Sequence, residues 1–231
     1  MRAPELSVII PAYNEARHLG EVVRGMARVL EESGIDYELR VVNNGSRDNT
    51  GAVIDELCDE NSRIKPVPLA VNQGYGGGIL AGLRDAQGDI LSWIHADGQA
   101  DPHDIVDIYR AMKKQGRELG KAVRIVRHES PWRIVQSRIY HAIFQLLFWT
   151  PYRDINGTPK LLTRNTLQTL GLTSRDWFLD PEFVIKALRH GFPIAEVETI
   201  WSSRRSGSTR AHLLTGLEFL KNMLMYRLGM K

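Results

Sequence analysis

The first half of the chain alternates short apolar runs with segments whose apolar residues recur at helical spacing. Helix-like segments separate the four apolar runs, which lie at residues 6–10, 39–42, 64–71 and 89–94. Such alternation is typical of β-α units wound around a parallel sheet. Pro66 and Pro68 interrupt the third run and favour either a position at the sheet edge or an irregular segment. The pattern predicts an α/β fold with a mostly parallel central sheet.

The chain length and composition predict one ordered domain. The 231 residues are 43% hydrophobic and 25% charged, which is ordinary for a globular protein. No repeat, low-complexity tract or linker divides them, so we expect a single domain over residues 1–231. The one cysteine, Cys58, forms no internal disulfide and indicates a reducing compartment.

Basic residues are concentrated in the second half, although the net charge is only +3. This skew suits a phosphate-bearing ligand or an anionic membrane face, and a solvated basic surface is the alternative. The residues concerned are Arg124, Arg127, Arg133, Arg138, Arg153, Lys160, Arg164, Arg204, Arg205 and Arg210.

The sequence carries neither a signal-peptide pattern nor an apolar run of about 20 residues, the length a membrane-spanning helix needs. We therefore expect a soluble chain or one that lies on a membrane surface. Two apolar segments, residues 135–149 and 213–228, are either core helices or interfacial helices that contact lipid.

Polar residues follow each of the four apolar runs. In an open parallel sheet, ligands bind outside the carboxyl ends of the strands, so these residues predict a binding cleft. The alternative is that loops are polar because they face water. The four segments are PAYNE at 11–15, NNGS at 43–46, NQGYG at 72–76 and HADGQ at 95–99.

The glycine-rich segment GYGGGILAG does not match the dinucleotide fingerprint, because Ile79 occupies the position of its third glycine. The chain also lacks the P-loop pattern. The glycines at 74, 76, 77 and 78 permit two roles. They allow either close backbone approach to an anionic ligand or close packing of a helix.

His95, Asp97 and Gln99 alternate after the fourth apolar run. If the strand continued that far, its period of two would direct all three side chains to one side. One nitrogen and two oxygens would then surround a divalent cation, which could neutralise charge on a diphosphate leaving group. The other interpretation is an ordinary polar turn between a strand and a helix.

Together, SVIIPAYNE, VVNNGSRDNT, NQGYGGG, HADGQADP, RDINGTPKLL and RRSGSTR resemble the motifs of glycosyltransferase family 2, in the family's order. The resemblance spans nearly the whole chain and implies the Rossmann-like, three-layer α/β/α GT-A fold. It implies a nucleotide-sugar-binding half over about 1–120 and an acceptor-binding half over about 121–231. More narrowly, the chain is similar to the dolichol-phosphate mannose synthase branch of polyprenyl-phosphate glycosyltransferases.

The resemblance assigns roles to individual residues. His95, Asp97 and Gln99 would hold the metal. Asp97 and four arginines would be catalytic, the arginines gripping donor and acceptor phosphates: Arg124, Arg133, Arg204 and Arg210. The nucleotide sugar would contact Pro11, Ala12, Tyr13, Glu15, Asn43, Asn44, Asn72, Gly76, Ala96 and Asp97.

Three residues depart from the family pattern. Asn43 and Asn44 replace two aspartates, and His95 replaces the first metal-binding aspartate. Asparagine carries no charge and can donate as well as accept, so the base identity stays open. Imidazole in place of a carboxylate shifts the expected cofactor from Mg²⁺ towards Mn²⁺.

The implied reaction is inverting transfer of a hexose, such as mannose or glucose, from a nucleotide diphosphate to a polyprenyl or dolichyl phosphate. The resemblance also implies a cytoplasmic protein that associates peripherally with the membrane face, either directly or through a separate membrane partner. No nucleic-acid partner is expected. An ionised phosphate nucleophile needs no general base.

Two other functions remain open. A hydroxyl acceptor would need a base, for which the candidates are Asp154, Asp180 and Glu182; their alternative role is helix capping or ion pairing. The chain could instead be a nucleotide-sugar-binding relative without catalysis.

Overall fold

The computed structural model describes residues 3–127, 131–201 and 213–229. These ranges form seven strands: β1 Leu6–Ala12, β2 Tyr37–Asn44, β3 Ile64–Leu69, β4 Ile90–Trp93, β5 Leu119–Arg127, β6 Lys160–Thr163 and β7 Ile194–Trp201. They also form eight helices: α1 Leu19–Ser33, α2 Thr50–Glu60, α3 Gly74–Asp85, α4 His103–Gln115, α5 Pro131–Phe148, α6 Arg164–Leu170, α7 Leu179–Arg189 and α8 Leu213–Arg227.

The strands form one sheet in the order β3-β2-β1-β4-β6-β5-β7. The pairs β3-β2, β2-β1, β1-β4 and β5-β7 are parallel, whereas β6 is antiparallel to both β4 and β5. This arrangement confirms the predicted α/β fold with a mostly parallel sheet. The edge position predicted for the third strand is also confirmed.

Helices cover both faces of the sheet, which produces three layers. Alternate residues of β1 belong to different core clusters, since Val8 and Ile10 pack with α1, α2 and α4. Ile9 instead packs with residues of α3 and α7. A strand buried on both faces must be apolar throughout, which explains the unbroken run at residues 6–10.

Two boundaries affect the site, and the first of them differs from the sequence expectation. Strand β4 ends at Trp93, before the HADGQ segment, because the chain leaves the sheet there and turns through Gly98 at a φ of 68°. Helix α3 begins at Gly74, so the glycine-rich segment forms its first turns. No helix among the described residues is long and apolar enough to cross a bilayer.

Candidate active site

Loops from separate parts of the chain meet at the carboxyl edge of the sheet. Strands β1 to β4 run parallel, so the segments that follow them lie at this edge. Strand β6 runs in the opposite direction, which brings the loop before it, residues 150–159, to the same edge. The antiparallel strand therefore adds a segment from the second half of the chain to the predicted cleft.

Hydrogen bonds join the first two of these loops. The Asn14 amide donates to Ser46 Oγ at 3.1 Å, and Asn14 Oδ1 accepts from the Arg47 amide at 2.8 Å. The Glu15 amide donates to Thr50 Oγ1 at 3.0 Å. The structure thus places the predicted nucleotide segment at 11–15, with its half-buried Pro11, Tyr13 and Glu15, beside the one at 43–46.

Asn44 is buried and braces the start of α3. Its Oδ1 accepts from the Gln73 amide and its Nδ2 donates to the Gly74 carbonyl, both at 2.9 Å. An aspartate could make only the first of these bonds, because a carboxylate does not donate. This geometry supplies a structural reason for asparagine at position 44. Asn43 Oδ1 accepts from the Ser46 amide at 3.1 Å and shapes the turn.

The glycines at the start of α3 pack against the segment 171–178. The Gly77 amide donates to the Arg175 carbonyl at 2.9 Å. A Cβ on Gly76 would collide with the backbone oxygens of Ser174 and Asp176. Close packing is therefore confirmed for Gly76, whose contact with the nucleotide stays a prediction. Asn72 is exposed, and its Oδ1 accepts from the Gly74 amide at 2.8 Å.

The predicted metal residues lie in a turn rather than on a strand. Because β4 ends at Trp93, the period-of-two geometry assumed for His95, Asp97 and Gln99 does not apply. Asp97 is 8% exposed, and its Oδ1 accepts from the Gln99 amide at 3.1 Å. Ala96, which precedes Asp97 in the chain, is also buried. Among the described residues, no three His, Cys, Asp or Glu side chains form a metal-holding group.

The donor set nevertheless suits a cation that is shared with a ligand. Mg²⁺ and similar ions commonly take one or two protein carboxylates and complete their shell with substrate phosphates and water. The Asp97 carboxylate fits that role, and Mn²⁺ accepts an imidazole ligand such as His95 more readily than Mg²⁺ does. The metal assignment of these residues remains a prediction.

Aromatic rings surround the His95 imidazole. It stacks on Tyr75 with ring centroids 5.1 Å apart and meets the edge of Trp201 at 6.0 Å. Trp177 lies at 6.2 Å with nearly parallel rings. The sequence interpretation missed these three residues, because they come from α3, β7 and the loop before α7.

A buried carboxylate lies beneath this cluster. Asp180 accepts from Lys160 Nζ at 2.8 Å, from Trp93 Nε1 at 3.1 Å and from the Tyr75 hydroxyl at 3.1 Å. Burial lowers the pKa of Lys160 and raises that of Tyr75, and the negative charge of Asp180 opposes the first shift and adds to the second. Asp180 therefore joins four elements through side chains that the sequence interpretation did not connect.

Arg124 is held by Asp154 in a two-pronged ion pair. Its Nε and Nη2 donate to the two carboxylate oxygens at 2.7 and 2.6 Å, and its guanidinium lies 4.6 Å from the Trp201 ring centroid. Lys121 anchors the same loop through the carbonyls of Arg153 and Asp154. Burial lowers the pKa of Lys121 to about 8.

The three candidate bases bind cations of the protein itself. Asp154 pairs with Arg124 and Asp180 with Lys160, while Glu182 pairs with Lys186 at 2.7 Å. The ion-pair alternative is thus confirmed for all three.

Of the four arginines predicted to bind phosphate, three have side chains that the structure does not describe. Arg133 belongs to α5, but its side chain is not described. Arg204 and Arg210 lie outside the described residues. Their phosphate contacts, like that of Arg124, stay predictions.

Asp104, in the first turn of α4, is a buried carboxylate whose Oδ2 lacks a hydrogen-bond partner among the described residues. Burial and the nearby charge of Asp101 raise its pKa from 3.8 to about 7. The folded state therefore holds this proton more tightly than the unfolded state does. The free energy of unfolding consequently falls as the pH rises from about 4 to 7.

We expect Asp104→Asn to be more stable than the parent at pH 8, by about 1–3 kcal/mol, because it removes a buried charge. The advantage should shrink as the pH approaches 4. Thermal unfolding at both pH values measures this. Asp107→Asn is the matched control on the exposed side of α4, and an equal gain there would contradict the burial explanation.

Comparison with known proteins identifies the family of this chain. The model of the family "Glycosyl transferase family 2" matches residues 7–178. Glycosyltransferase AglD of Haloferax volcanii is 28% identical over 218 residues, which cover 91% of this chain and 35% of AglD. The chain thus spans about a third of the length of this relative.

Two solved structures share the fold at low identity. Glucosyl-3-phosphoglycerate synthase of Mycobacterium tuberculosis, solved with Mn²⁺, UDP-glucose and phosphoglyceric acid, has a TM-score of 0.77 at 18% identity and aligns over 98% of this chain and 80% of its own. The first 349 residues of S. aureus TarS, solved with UDP-GlcNAc, have a TM-score of 0.68 at 16% identity, over 95% and 65%. Together with the family match over most of its length, these likenesses show that the chain belongs to glycosyl transferase family 2 and has its GT-A fold.

Proposed function

We propose that the chain transfers a hexose, with inversion, from a nucleotide diphosphate to a polyprenyl phosphate at the cytoplasmic face of a membrane. Family membership supports the transferase activity. Glucosyl-3-phosphoglycerate synthase, which has the same fold, was solved with UDP-glucose and Mn²⁺ and also with UDP and Mg²⁺. We extend this donor class to the present chain because its four strand-end segments meet at one edge of the sheet.

In this proposal Asp97 and His95 hold a divalent cation beside the donor diphosphate, with Gln99 in the same turn. When bound, the cation neutralises charge that develops on the departing diphosphate. The histidine favours Mn²⁺ over Mg²⁺. The loops at 11–15 and 43–46, which are hydrogen-bonded to each other, hold the nucleotide. Arg124, whose guanidinium is oriented by its ion pair with Asp154, contacts phosphate from the other side of β4.

The main support for a lipid acceptor is a pair of exposed apolar stripes on α5 and α8. On α5 the stripe consists of Val135, Ile139 and Leu146, of which Leu146 is 77% exposed. On α8 it consists of Leu220 and Leu224, and the exposed Leu228 directly follows the helix. Each set is spaced so that its side chains lie on one side, which leaves apolar surface exposed for contact with lipid.

The two striped helices pack against each other. The rings of Tyr140 on α5 and Phe219 on α8 meet edge to face with centroids 5.3 Å apart. Both helices also contribute residues, including Phe144 and Met223, to the core cluster that contains Asp180's neighbour Trp93. A lipid bound at the stripes would therefore contact α5 and α8, the helices that pack in the same core cluster as Trp93.

A phosphate acceptor also agrees with the state of the acidic residues. Asp154, Asp180 and Glu182 each form an ion pair with a cation of the protein, so their carboxylate oxygens are engaged where a base would need a free lone pair. A polyprenyl phosphate is already ionised near neutral pH, so positioning and charge neutralisation carry the reaction.

The test is a transfer assay with labelled UDP-glucose and GDP-mannose, with Mn²⁺ or Mg²⁺, offered polyprenyl phosphate or phosphoglyceric acid. Lipid-linked product supports the proposal. Transfer only to phosphoglyceric acid would establish a hydroxyl acceptor instead. Nucleotide binding without transfer to either acceptor would favour a non-catalytic relative.

Leu146→Glu combined with Leu224→Glu should lower transfer to long-chain polyprenyl phosphate in vesicles by about tenfold, because each glutamate adds a charge where apolar surface meets lipid. Transfer to a short-chain, water-soluble analogue should change little. Gln168→Glu, which adds negative charge on the exposed side of α6, is the control. Equal losses with both acceptors would contradict a role of the stripes in lipid contact.

A further inference from the structure

Tyr75 and Trp177 form a stacked pair at the carboxyl edge, here called the aromatic platform. Their ring centroids are 4.3 Å apart and the ring planes differ by 12°. Tyr75 covers one face of the indole, yet Trp177 remains 39% exposed. The His95 imidazole lies beside both rings. A large apolar ring is thus presented to solvent next to the predicted diphosphate residues.

The segment that carries Trp177 is fixed on both sides. Before it, the Arg175 carbonyl accepts from the Gly77 amide of α3. Next to it, Asp176 Oδ1 accepts from the Phe178 amide at 2.8 Å, and Asp176 Oδ2 accepts from Asn222 Nδ2 of α8 at 3.2 Å. The indole is therefore held in place before any ligand arrives, which lowers the entropic cost of binding.

Tyr75 is fixed from the opposite side. Its hydroxyl donates to Asp180, which also binds Lys160 and Trp93. This hydrogen bond to a buried carboxylate fixes the orientation of the Tyr75 ring, which therefore stays in place when a ligand stacks on Trp177. The exposed part of Trp177 leaves a flat apolar surface on which a ligand can stack.

We propose that the aromatic platform binds the hexose ring of the donor and contributes to donor specificity. This rests on the proposed function, in which the diphosphate lies at the turn of His95 and Asp97. The hexose is bonded directly to that diphosphate and so reaches the neighbouring surface. The carbon-hydrogen face of a hexose is apolar, and an aromatic ring is the protein surface that buries such a face best while leaving the hydroxyl groups in water.

The test compares nucleotide diphosphates with and without the sugar. Calorimetry with Mn²⁺ gives the Kd of UDP and UDP-glucose, and of GDP and GDP-mannose, for the parent and for Trp177→Leu. We expect Trp177→Leu to weaken binding of the matching nucleotide sugar about tenfold, since it removes a ring-sized apolar contact, while the Kd of the nucleotide diphosphate stays within about twofold. Trp177→Phe should recover most of the loss, because it restores a flat ring.

Phe192→Leu is the control, because this half-buried ring lies before β7 at the opposite edge of the sheet. Thermal unfolding of every variant identifies loss of folded protein. The platform is overturned if Trp177→Leu weakens binding of the nucleotide diphosphate and of the nucleotide sugar equally, or weakens neither. Either result still leaves donor binding by the parent established. A change confined to the KM of polyprenyl phosphate overturns it in favour of an acceptor contact. Failure of the parent to bind either pair overturns the proposed function and the platform together.

Discussion

Asp97→Asn is expected to lower kcat/KM for hexose transfer by about a hundredfold or more, because it removes the buried carboxylate proposed to hold the cation. The amide oxygen of asparagine can still accept from the Gln99 amide, as Asp97 Oδ1 does at 3.1 Å. The fold of the turn should therefore persist, and the loss should reflect charge rather than misfolding. Steady-state assays over a range of Mn²⁺ concentrations measure it.

Asp101→Asn is the matched control for this experiment. Asp101 lies in the same turn but is exposed, and its Oδ1 accepts from the His103 amide at 2.9 Å. This substitution removes the same charge four residues away and should leave transfer within about twofold, because exposed charges are strongly screened. Unchanged transfer by Asp97→Asn, with unchanged Mn²⁺ affinity in the presence of UDP, would remove Asp97 from the cation site.

Lys160→Met is expected to lower the free energy of unfolding by about 3–5 kcal/mol, because it leaves the Asp180 carboxylate buried without its cation. The Lys160 side chain is fully buried and donates to Asp180 and to the Gly157 carbonyl, each at 2.8 Å. For a chain of this size the loss corresponds to a fall in Tm of about 10 °C. Thermal or denaturant unfolding measures it.

Two companion variants separate the buried charge from simple loss of packing. Adding Asp180→Asn to Lys160→Met should recover part of the stability, because it removes the unpaired charge. Arg63→Met breaks an exposed ion pair with Asp36 of 2.6 Å and should cost less than about 1 kcal/mol. If Lys160→Met costs no more than Arg63→Met, the buried pair does not stabilise the fold as argued.

The sequence patterns performed well wherever the signal was local. The apolar runs predicted β1 to β4 to within a few residues, and the prolines predicted an edge strand. The ordered motifs predicted the family that the comparison shows. Local patterns failed where a boundary depended on packing: the end of β4 at Trp93 removed the strand geometry assumed for His95, Asp97 and Gln99.

Asn44 illustrates why a motif departure is hard to interpret without coordinates. From sequence, replacement of an aspartate suggested a changed nucleotide contact. In the structure, the side chain both donates to Gly74 and accepts from Gln73, about 30 residues along the chain. The substitution is explained by a backbone partner that no pattern near position 44 reveals.

The sequence alone determined the α/β class and the family, and it predicted the edge of the sheet at which the site is proposed, because all three follow from short-range periodicity and from motifs a few residues long. Only the tertiary structure decided which side chains meet there. Tyr75 and Trp93 reach Asp180 across 105 and 87 positions of the chain. Such contacts depend on the strand order and on the reversed direction of β6, and the buried charge of Asp180 makes them necessary, since it must find its partners wherever the fold brings them.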